Sequence, residues 1–164
     1  MIWLALFYLL LLPAQGLLSA ILLPWPAPDL FLIAVLLLVR RLSPWQLIIV
    51  AYGIGLLQDL VGHGVLGLHG FGLAAAALGA SLVRAQLSQS GLFERALIVS
   101  AALGGKWLAL SAAIVWLSGS VDSLKSVVSV LPFDAGFTLV LGLWLLSWVE
   151  ARFERASILR RELV

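Results

Sequence analysis

Six long apolar stretches separated by short polar connections make up most of the chain. Within them apolar residues follow one another, without the strict alternation with polar residues that is typical of half-buried β-strands. Such runs predict helices, because a helix satisfies its own backbone hydrogen bonds even in an apolar solvent. The predicted helices cover residues 2–23, 29–39, 45–60, 65–83, 96–118 and 133–149.

The second stretch, 29–39, is the shortest of the six. A helix that crosses a bilayer normally needs about 20 apolar residues, so this stretch is too short to cross unaided. We expect it either to gain a turn from Pro26–Pro28 or to lie tilted or partly re-entrant between its neighbours.

The composition indicates that lipid is the solvent of these helices. Of the 164 residues 63% are hydrophobic and 11% are charged, and the mean hydropathy is +1.14. A soluble domain of this size would lack the polar side chains needed to cover its surface. We predict an all-α polytopic membrane protein, with six transmembrane helices over 1–149 and a basic cytoplasmic tail over 150–164. The first stretch is predicted to be a retained helix rather than a signal peptide, because no basic residue precedes it.

The positions of the basic residues predict the orientation. Alternate connections and the tail carry eight of them, whereas the opposite connections carry only Lys125. Cytoplasmic loops are enriched in Lys and Arg, so both termini are predicted to be cytoplasmic. The eight residues are Arg40, Arg41, Arg84, Arg95, Arg152, Arg155, Arg160 and Arg161.

Two segments outside the predicted spans also have a pattern. Residues 121–131 place apolar residues at helical spacing beside a serine face, which predicts an amphipathic helix on the outer membrane surface. The tail has an apolar stripe flanked by arginines, which fits either attraction to anionic lipid or docking of a cytoplasmic partner. The candidate partner contacts are Val121, Leu124, Val128, Leu131, Arg152 and Arg155.

A glycine-rich hairpin is predicted between the third and fourth helices, where seven glycines occur within twenty residues. The middle ones suit a tight outer turn that needs positive φ. Gly72, Ala76 and Ala80 form a small-residue face that lets another helix, of this chain or of a partner, approach closely. The glycines assigned to the hairpin and to helix packing are Gly53, Gly55, Gly62, Gly64, Gly67 and Gly72.

Asp59 lies near the outer end of the third helix. An ionisable residue in a membrane segment suggests a functional site, but a carboxylate here can also cap the glycine-rich turn by accepting backbone N–H bonds. Gln58 is expected to join such a polar network. A metal site built on Asp59, His63 and His69 is disfavoured, because glycines flank His63 and no fuller ligand set follows.

Lys106 falls near the middle of the fifth helix, directly after two glycines. An unpaired charge at that depth costs about 3 kcal/mol. Asp59 is the first candidate partner, with Asp29 and Asp134 as alternatives. Both an internal polar clamp and a transport role are consistent with the position, and Asp29, Gln58, Asp59 and Lys106 together form the predicted polar network.

Known catalytic patterns are missing from the sequence. It contains no Gly-x-Ser-x-Gly, no His-Glu-x-x-His and no phosphate loop. The absence of cysteine excludes disulfides and thiolate metal sites. We therefore predict a protein that is not an enzyme and has no cofactor.

Three short motifs resemble those of the bacterial rod-shape-determining protein MreD family. They are Pro28-Asp29-Leu30, Gly55-Leu-Leu-Gln-Asp59-Leu, and Leu66-Gly67-Leu-His69 before an Ala/Leu-rich helix. Length, six-helix hydropathy and the basic tail agree, so the resemblance covers nearly the whole chain. It implies a non-catalytic inner-membrane subunit of the cell-elongation machinery. Its implied partner is MreC, and through MreC the MreB cytoskeleton, RodA and its class B penicillin-binding transpeptidase.

The MreD family is also similar to the substrate-binding subunits of energy-coupling-factor vitamin transporters, which share a six-helix fold. This alternative predicts a ligand pocket near His63, His69 and Trp116. Those subunits usually carry an Ala-x-x-x-Ala surface on the first helix. Here Ala5, Ala14 and Ala20 lack that spacing, which argues against the transporter function.

Overall fold

The computed structural model describes residues 2–22, 27–61, 65–87, 91–120, 122 and 131–148. This part of the chain is helical and contains no strand, which confirms the predicted all-α class. It forms six helices, each of which overlaps one of the six apolar stretches. The helices are α1 (Ile2–Ile21), α2 (Leu30–Leu38), α3 (Pro44–Val61), α4 (Leu68–Gln86), α5 (Leu92–Ser118) and α6 (Leu131–Trp148).

Three of the described helices, α4, α5 and α6, are long and apolar enough to cross a membrane. The longest, α5, has 27 residues and therefore extends over about 40 Å. Large apolar side chains are exposed on the outside of the helices, including Phe93, Leu108 and Trp116 at 75%, 75% and 88% exposure. Such a surface is expected of a protein that faces lipid rather than water.

Helix α2 occupies the centre of the fold. Six consecutive residues, Phe31 to Leu36, are at most 3% exposed. A helix that is apolar and buried on all sides must be surrounded by other helices. With nine residues it is only about 14 Å long, roughly half the thickness of a hydrocarbon core.

The extra helical turn expected before α2 is not formed at Ala27 and Pro28, which are not helical. The residue before a proline is disfavoured in the helical conformation, and this accounts for Ala27. Asp29 follows with extended backbone (φ −79°, ψ 96°) and caps the helix. Non-helical chain therefore precedes the short second helix at residues 27–29, and the additional turn, one of the alternatives expected from the sequence, is not formed there.

Helices α4 and α5 pack through small residues. Ala76, Ala80 and Ala102 are completely buried. A Cβ atom added at Gly79 or Gly105 would lie only 2.6 Å from a backbone carbonyl oxygen of the other helix. Gly72 faces Leu110 of α5, so the neighbour of the small-residue face on α4 belongs to the same chain.

Several predicted positions lie outside the described residues. They include the middle of the glycine turn, most of the outer amphipathic segment and the basic tail. Leu131, expected to end the amphipathic helix, is instead the first residue of α6. The predicted residues outside the described part are Gly62, His63, Gly64, Val121, Leu124, Val128, Arg152 and Arg155.

Candidate functional site

Asp29 is the first element of a buried polar site. Its carboxylate Oδ1 accepts hydrogen bonds from the backbone N–H groups of Phe31 at 2.9 Å and Leu32 at 3.0 Å. These N–H groups have no partner within the first turn of α2, so the side chain satisfies them. The backbone N–H of Asp29 itself donates to Thr138 Oγ1 of α6 at 2.9 Å. Asp29 thereby joins the start of α2 to α6.

Lys106 supplies the positive charge of the site. Its Nζ lies 2.6 Å from Asp29 Oδ2 and 5.3 Å from the centre of the Trp107 ring. Lys106 is 7% exposed and Asp29 is 6% exposed. The first candidate partner that we predicted for Lys106, Asp59, is wrong. Lys106 points to the start of α2, whereas Asp59 binds the hairpin.

Asp134 brings a second carboxylate to the same place. Its Oδ2 is 3.7 Å from Lys106 Nζ, and its Oδ1 is 3.5 Å from the hydroxyl of Thr138, one turn later on α6. Its Oδ2 is buried and has no hydrogen-bond partner among the described residues. We call Asp29, Lys106, Asp134 and Thr138 the ion cluster. It places two carboxylates beside one ammonium group.

Gln15 of α1 satisfies the non-helical backbone beside the ion cluster. Its Nε2 donates to the carbonyl oxygen of Pro28 at 3.2 Å, and its Oε1 accepts from the N–H of Leu30 at 2.9 Å. Backbone that is not helical is tolerated in an apolar interior only when protein groups satisfy it. Gln15 of α1 and Thr138 of α6 perform this task.

A set of charged residues lies at one end of the helices, which we call the charged end. Here α2, α4 and α6 end and α5 begins. Its contacts join Arg40 to Glu94 at 2.9 Å, Arg95 to Ser147 Oγ at 2.9 Å, and Arg84 to the carbonyl oxygen of Val39.

The ion cluster lies at the start of α2, in the first turn of α6 and near the middle of α5. Asp29, Lys106 and Asp134 are 11 to 13 residues from Arg40, Glu94 and Ser147 on their respective segments. At 1.5 Å per residue, each of the three segments puts the cluster about 16–20 Å from the charged end. Three independent helices therefore agree on its depth.

A second polar site lies at the glycine hairpin. The Asp59 carboxylate accepts from the N–H groups of Gly67 at 2.8 Å, His69 at 3.2 Å and Gly70 at 3.4 Å. His69 Nδ1 is 2.6 Å from Asp59 Oδ1. Asp59 therefore caps the start of α4, as the capping interpretation of this residue predicts.

The glycines of the hairpin differ in their backbone conformation and in how closely other atoms approach them. Gly67 has φ +92°, a conformation that other residues rarely adopt. A Cβ atom on Gly55 would lie 2.4 Å from the Cα atom of Gly70, so α3 and α4 touch through their backbones. Nothing lies within 4 Å of a Cβ atom added at Gly53. Gln58, expected in the Asp59 network, has a buried Oε1 without a partner among the described residues.

A groove of about 310 Å³ lies between α5 and α6. It is lined mainly by apolar side chains, among them Leu103, Trp107 and Leu131. Trp116, which the transporter alternative places beside a ligand, is 88% exposed and does not line this groove. Within the described residues no three His, Cys, Asp or Glu side chains are arranged to hold a metal.

Part of the ion cluster, and the neighbouring Gln15, is not predicted from the sequence. Thr138 and Gln15 carry no prediction, and Asp134 is named only as an alternative partner of Lys106. All three are isolated polar residues inside long apolar stretches. This property distinguishes them from the surrounding residues and provides the signal that would have found them.

The chain was compared with known proteins in three ways. No family model, no curated protein and no solved structure matches it.

Proposed function

We propose that this protein is a non-catalytic six-span scaffold subunit of a bacterial inner membrane, of the MreD type, that binds MreC. The proposal rests on the resemblance of three short motifs, two of which contain Asp29 or Asp59. The six described helices, with apolar side chains on their outer surface, are compatible with it.

The observation that carries the scaffold proposal is that the polar side chains inside the fold bind other helices and turns of the same chain. The buried Lys106 of α5 binds Asp29 at the start of α2. The half-buried Gln15 of α1 binds the backbone of Pro28 and Leu30. Asp59 binds the turn that joins α3 to α4. These groups hold the relative positions of the helices. A subunit that presents fixed surfaces to other membrane proteins needs such stabilising contacts between its helices.

The proposed orientation places the charged end in the cytoplasm. Arg40, Arg84 and Arg95 come from three separate parts of the sequence, and they lie at the same end of the helices. Cytoplasmic ends of membrane proteins are enriched in Lys and Arg. Both chain termini then lie in the cytoplasm, and the hairpin capped by Asp59 faces the opposite side.

The experiment that tests the function is affinity purification from the native bacterium. The full-length protein is tagged at its C terminus, extracted in mild detergent and examined by mass spectrometry. We expect MreC among the associated proteins and, in smaller amounts, RodA and its transpeptidase. A tagged six-span protein of unrelated function, expressed at the same level, controls for nonspecific recovery.

The same purification distinguishes the transporter alternative. Recovery of a pair of ATPases with a coupling membrane subunit, or of a vitamin that co-purifies with the protein, would overturn the scaffold proposal. Recovery of MreC without either of these would support it. A tag placed at the N terminus repeats the test with the C-terminal tail unmodified.

A further inference from the structure

The ion cluster has an unbalanced charge. Asp29 and Asp134 supply two carboxylates, and Lys106 supplies one ammonium group. All three residues are at most 7% exposed. Among the described residues, the charged groups that face Asp134 are Lys106 from α5 and Asp29 from the start of α2. Thr138 on its own helix and Gln15 on α1 are uncharged. With every group ionised, the interior would hold one uncompensated negative charge.

An uncompensated charge in an apolar interior costs several kcal/mol, and a buried group usually becomes neutral instead. We infer that Asp134 is a proton-binding site and that the ion cluster holds one proton, so that Asp134 is a neutral carboxylic acid beside a Lys106–Asp29 ion pair. This inference depends only on the burial and contacts of the cluster, and it does not depend on the proposed function.

The hydrogen bonds assign the proton to Asp134 rather than Asp29. The Asp29 carboxylate accepts three short bonds, from Phe31 N–H, Leu32 N–H and Lys106 Nζ, at 2.6 to 3.0 Å. Donors of this kind stabilise the anion. Within the part of the chain that the structure describes, the hydrogen bond to Asp134 is a 3.5 Å contact from the hydroxyl of Thr138. Its Oδ2, 3.7 Å from Lys106 Nζ, is the buried oxygen without a hydrogen bond.

A metal cation is a poorer occupant of the same place. Metal ions that prefer oxygen take about six ligands. Among the described residues, the side-chain oxygens of the ion cluster are the Asp134 carboxylate, Thr138 Oγ1 and the Asp29 carboxylate. The Thr138 hydroxyl already accepts from the N–H of Asp29, and Asp29 is occupied by Lys106 and the start of α2. A proton needs only the free oxygen of Asp134.

Binding of the proton has a consequence for Lys106. When Asp134 is neutral, Asp29 is the one anion among the described residues that pairs with the ammonium group. Loss of the proton would place a second anion 3.7 Å away, and the ammonium group would then be shared between α2 and α6. The proton therefore holds Lys106 on the start of α2.

Infrared spectroscopy of the full-length protein in detergent tests this inference. The C=O band of a protonated carboxylic acid is separate from the bands of a carboxylate, and it shifts in D2O. We expect one such band at pH 7 in the unmodified protein and no such band in Asp134→Asn. The matched control Asp122→Asn changes an exposed aspartate and should retain the band. Absence of the band in the unmodified protein would overturn the inference. The inference would also be overturned if the band were lost in Asp29→Asn and retained in Asp134→Asn, because the proton would then be on Asp29.

Thermal unfolding provides a second readout that does not depend on the spectrum. Asparagine is a neutral substitute for a protonated aspartate, so we expect Asp134→Asn to unfold within a few degrees of the unmodified protein. A protein that fails to fold, or whose midpoint falls as far as that of Lys106→Met, would show that Asp134 acts as an anion. Either result would contradict the proton site.

Discussion

Two buried aspartates of this protein have the same local task and different surroundings. Asp29 and Asp59 each accept N–H groups at the start of a helix, α2 and α4 respectively. The partners of Asp59 lie 8 to 11 residues away, and they include the half-exposed His69. The partners of Asp29 include Lys106, which is 77 residues away and buried.

The difference teaches how the two regions are held together. The hairpin is stabilised by hydrogen bonds from backbone N–H groups to Asp59, which is close to them in the sequence. Its two helices are in contact at glycine residues. The ion cluster joins segments that are far apart in the sequence, and it does so by charge. Removing one partner from the hairpin exposes N–H groups near a turn. Removing one partner from the ion cluster leaves a charge without its counterpart in an apolar interior.

The largest effect is expected for Lys106→Met. This change leaves Asp29 without its cation, and breaking a buried ion pair costs about 3–5 kcal/mol. We expect the free energy of unfolding in mild detergent to fall by that amount, measured with a chemical denaturant and far-UV circular dichroism.

The partner substitution Asp29→Asn serves as a control for Lys106→Met. Asparagine retains the ability to cap α2 while removing the charge. The double variant Asp29→Asn/Lys106→Met should be more stable than the sum of the single changes predicts, by at least about 1 kcal/mol. Additive effects would show that the two residues do not interact.

The second largest effect is expected for Gly105→Ala, at a position between the ion cluster and the hairpin. Gly105 lies beside Lys106 and faces Ala75 of α4, the second helix of the hairpin. A Cβ atom in Gly105→Ala would meet a carbonyl oxygen at 2.6 Å and force α4 and α5 apart. We expect a loss of about 1–3 kcal/mol in the same unfolding measurement, as for other overpacked interiors.

The neighbouring glycine is a matched control for this change. No atom of the described residues lies within 4 Å of a Cβ atom added at Gly104. Alanine is the better helix former by about 1 kcal/mol. Gly104→Ala should therefore leave the stability unchanged or raise it slightly. Equal losses at the two positions would rule out close packing as the cause.

A smaller loss is expected for Asp59→Ala. It removes the acceptor of the N–H groups of Gly67, His69 and Gly70. Loss of a helix cap costs about 0.5–2 kcal/mol, and water can replace part of the acceptor near the half-exposed His69. Amide hydrogen exchange should rise at the start of α4 and stay unchanged at the start of α2. A loss as large as that of Lys106→Met would remove the distinction between the two regions.

The smallest effect is expected at the charged end, for Arg40→Gln. In the Arg40–Glu94 pair the arginine side chain is 38% exposed and the glutamate side chain is 9% exposed. Because water reaches the pair from the arginine side, we expect it to contribute about 1 kcal/mol, the upper end of the range for exposed ion pairs, and to be weakened by salt. The difference between Arg40→Gln and the unmodified protein should therefore shrink when the ionic strength is raised. The effect of Lys106→Met should depend little on salt.

The sequence was most informative where partners are close along the chain. The helical class follows from uninterrupted apolar runs, and the cap at Asp59 follows from a carboxylate beside a glycine turn. The partner of Lys106 could not be found in this way, because its identity depends on how α2, α5 and α6 pack. Hydropathy predicted the start of α2 to within one residue of Leu30. The selection of Asp29 and Asp134 over Asp59 as partners of Lys106, and the part played by Thr138, needed the structure, because they depend on the packing of separate helices.

The separation between Asp29 and Lys106 also has a consequence for biosynthesis. A ribosome adds roughly 5–20 residues per second, so the 77 residues between them take on the order of 4–15 s. During that interval the nine-residue α2 carries a carboxylate whose cation does not yet exist. The ion pair at the centre of the fold can therefore form only after α5 has been synthesised.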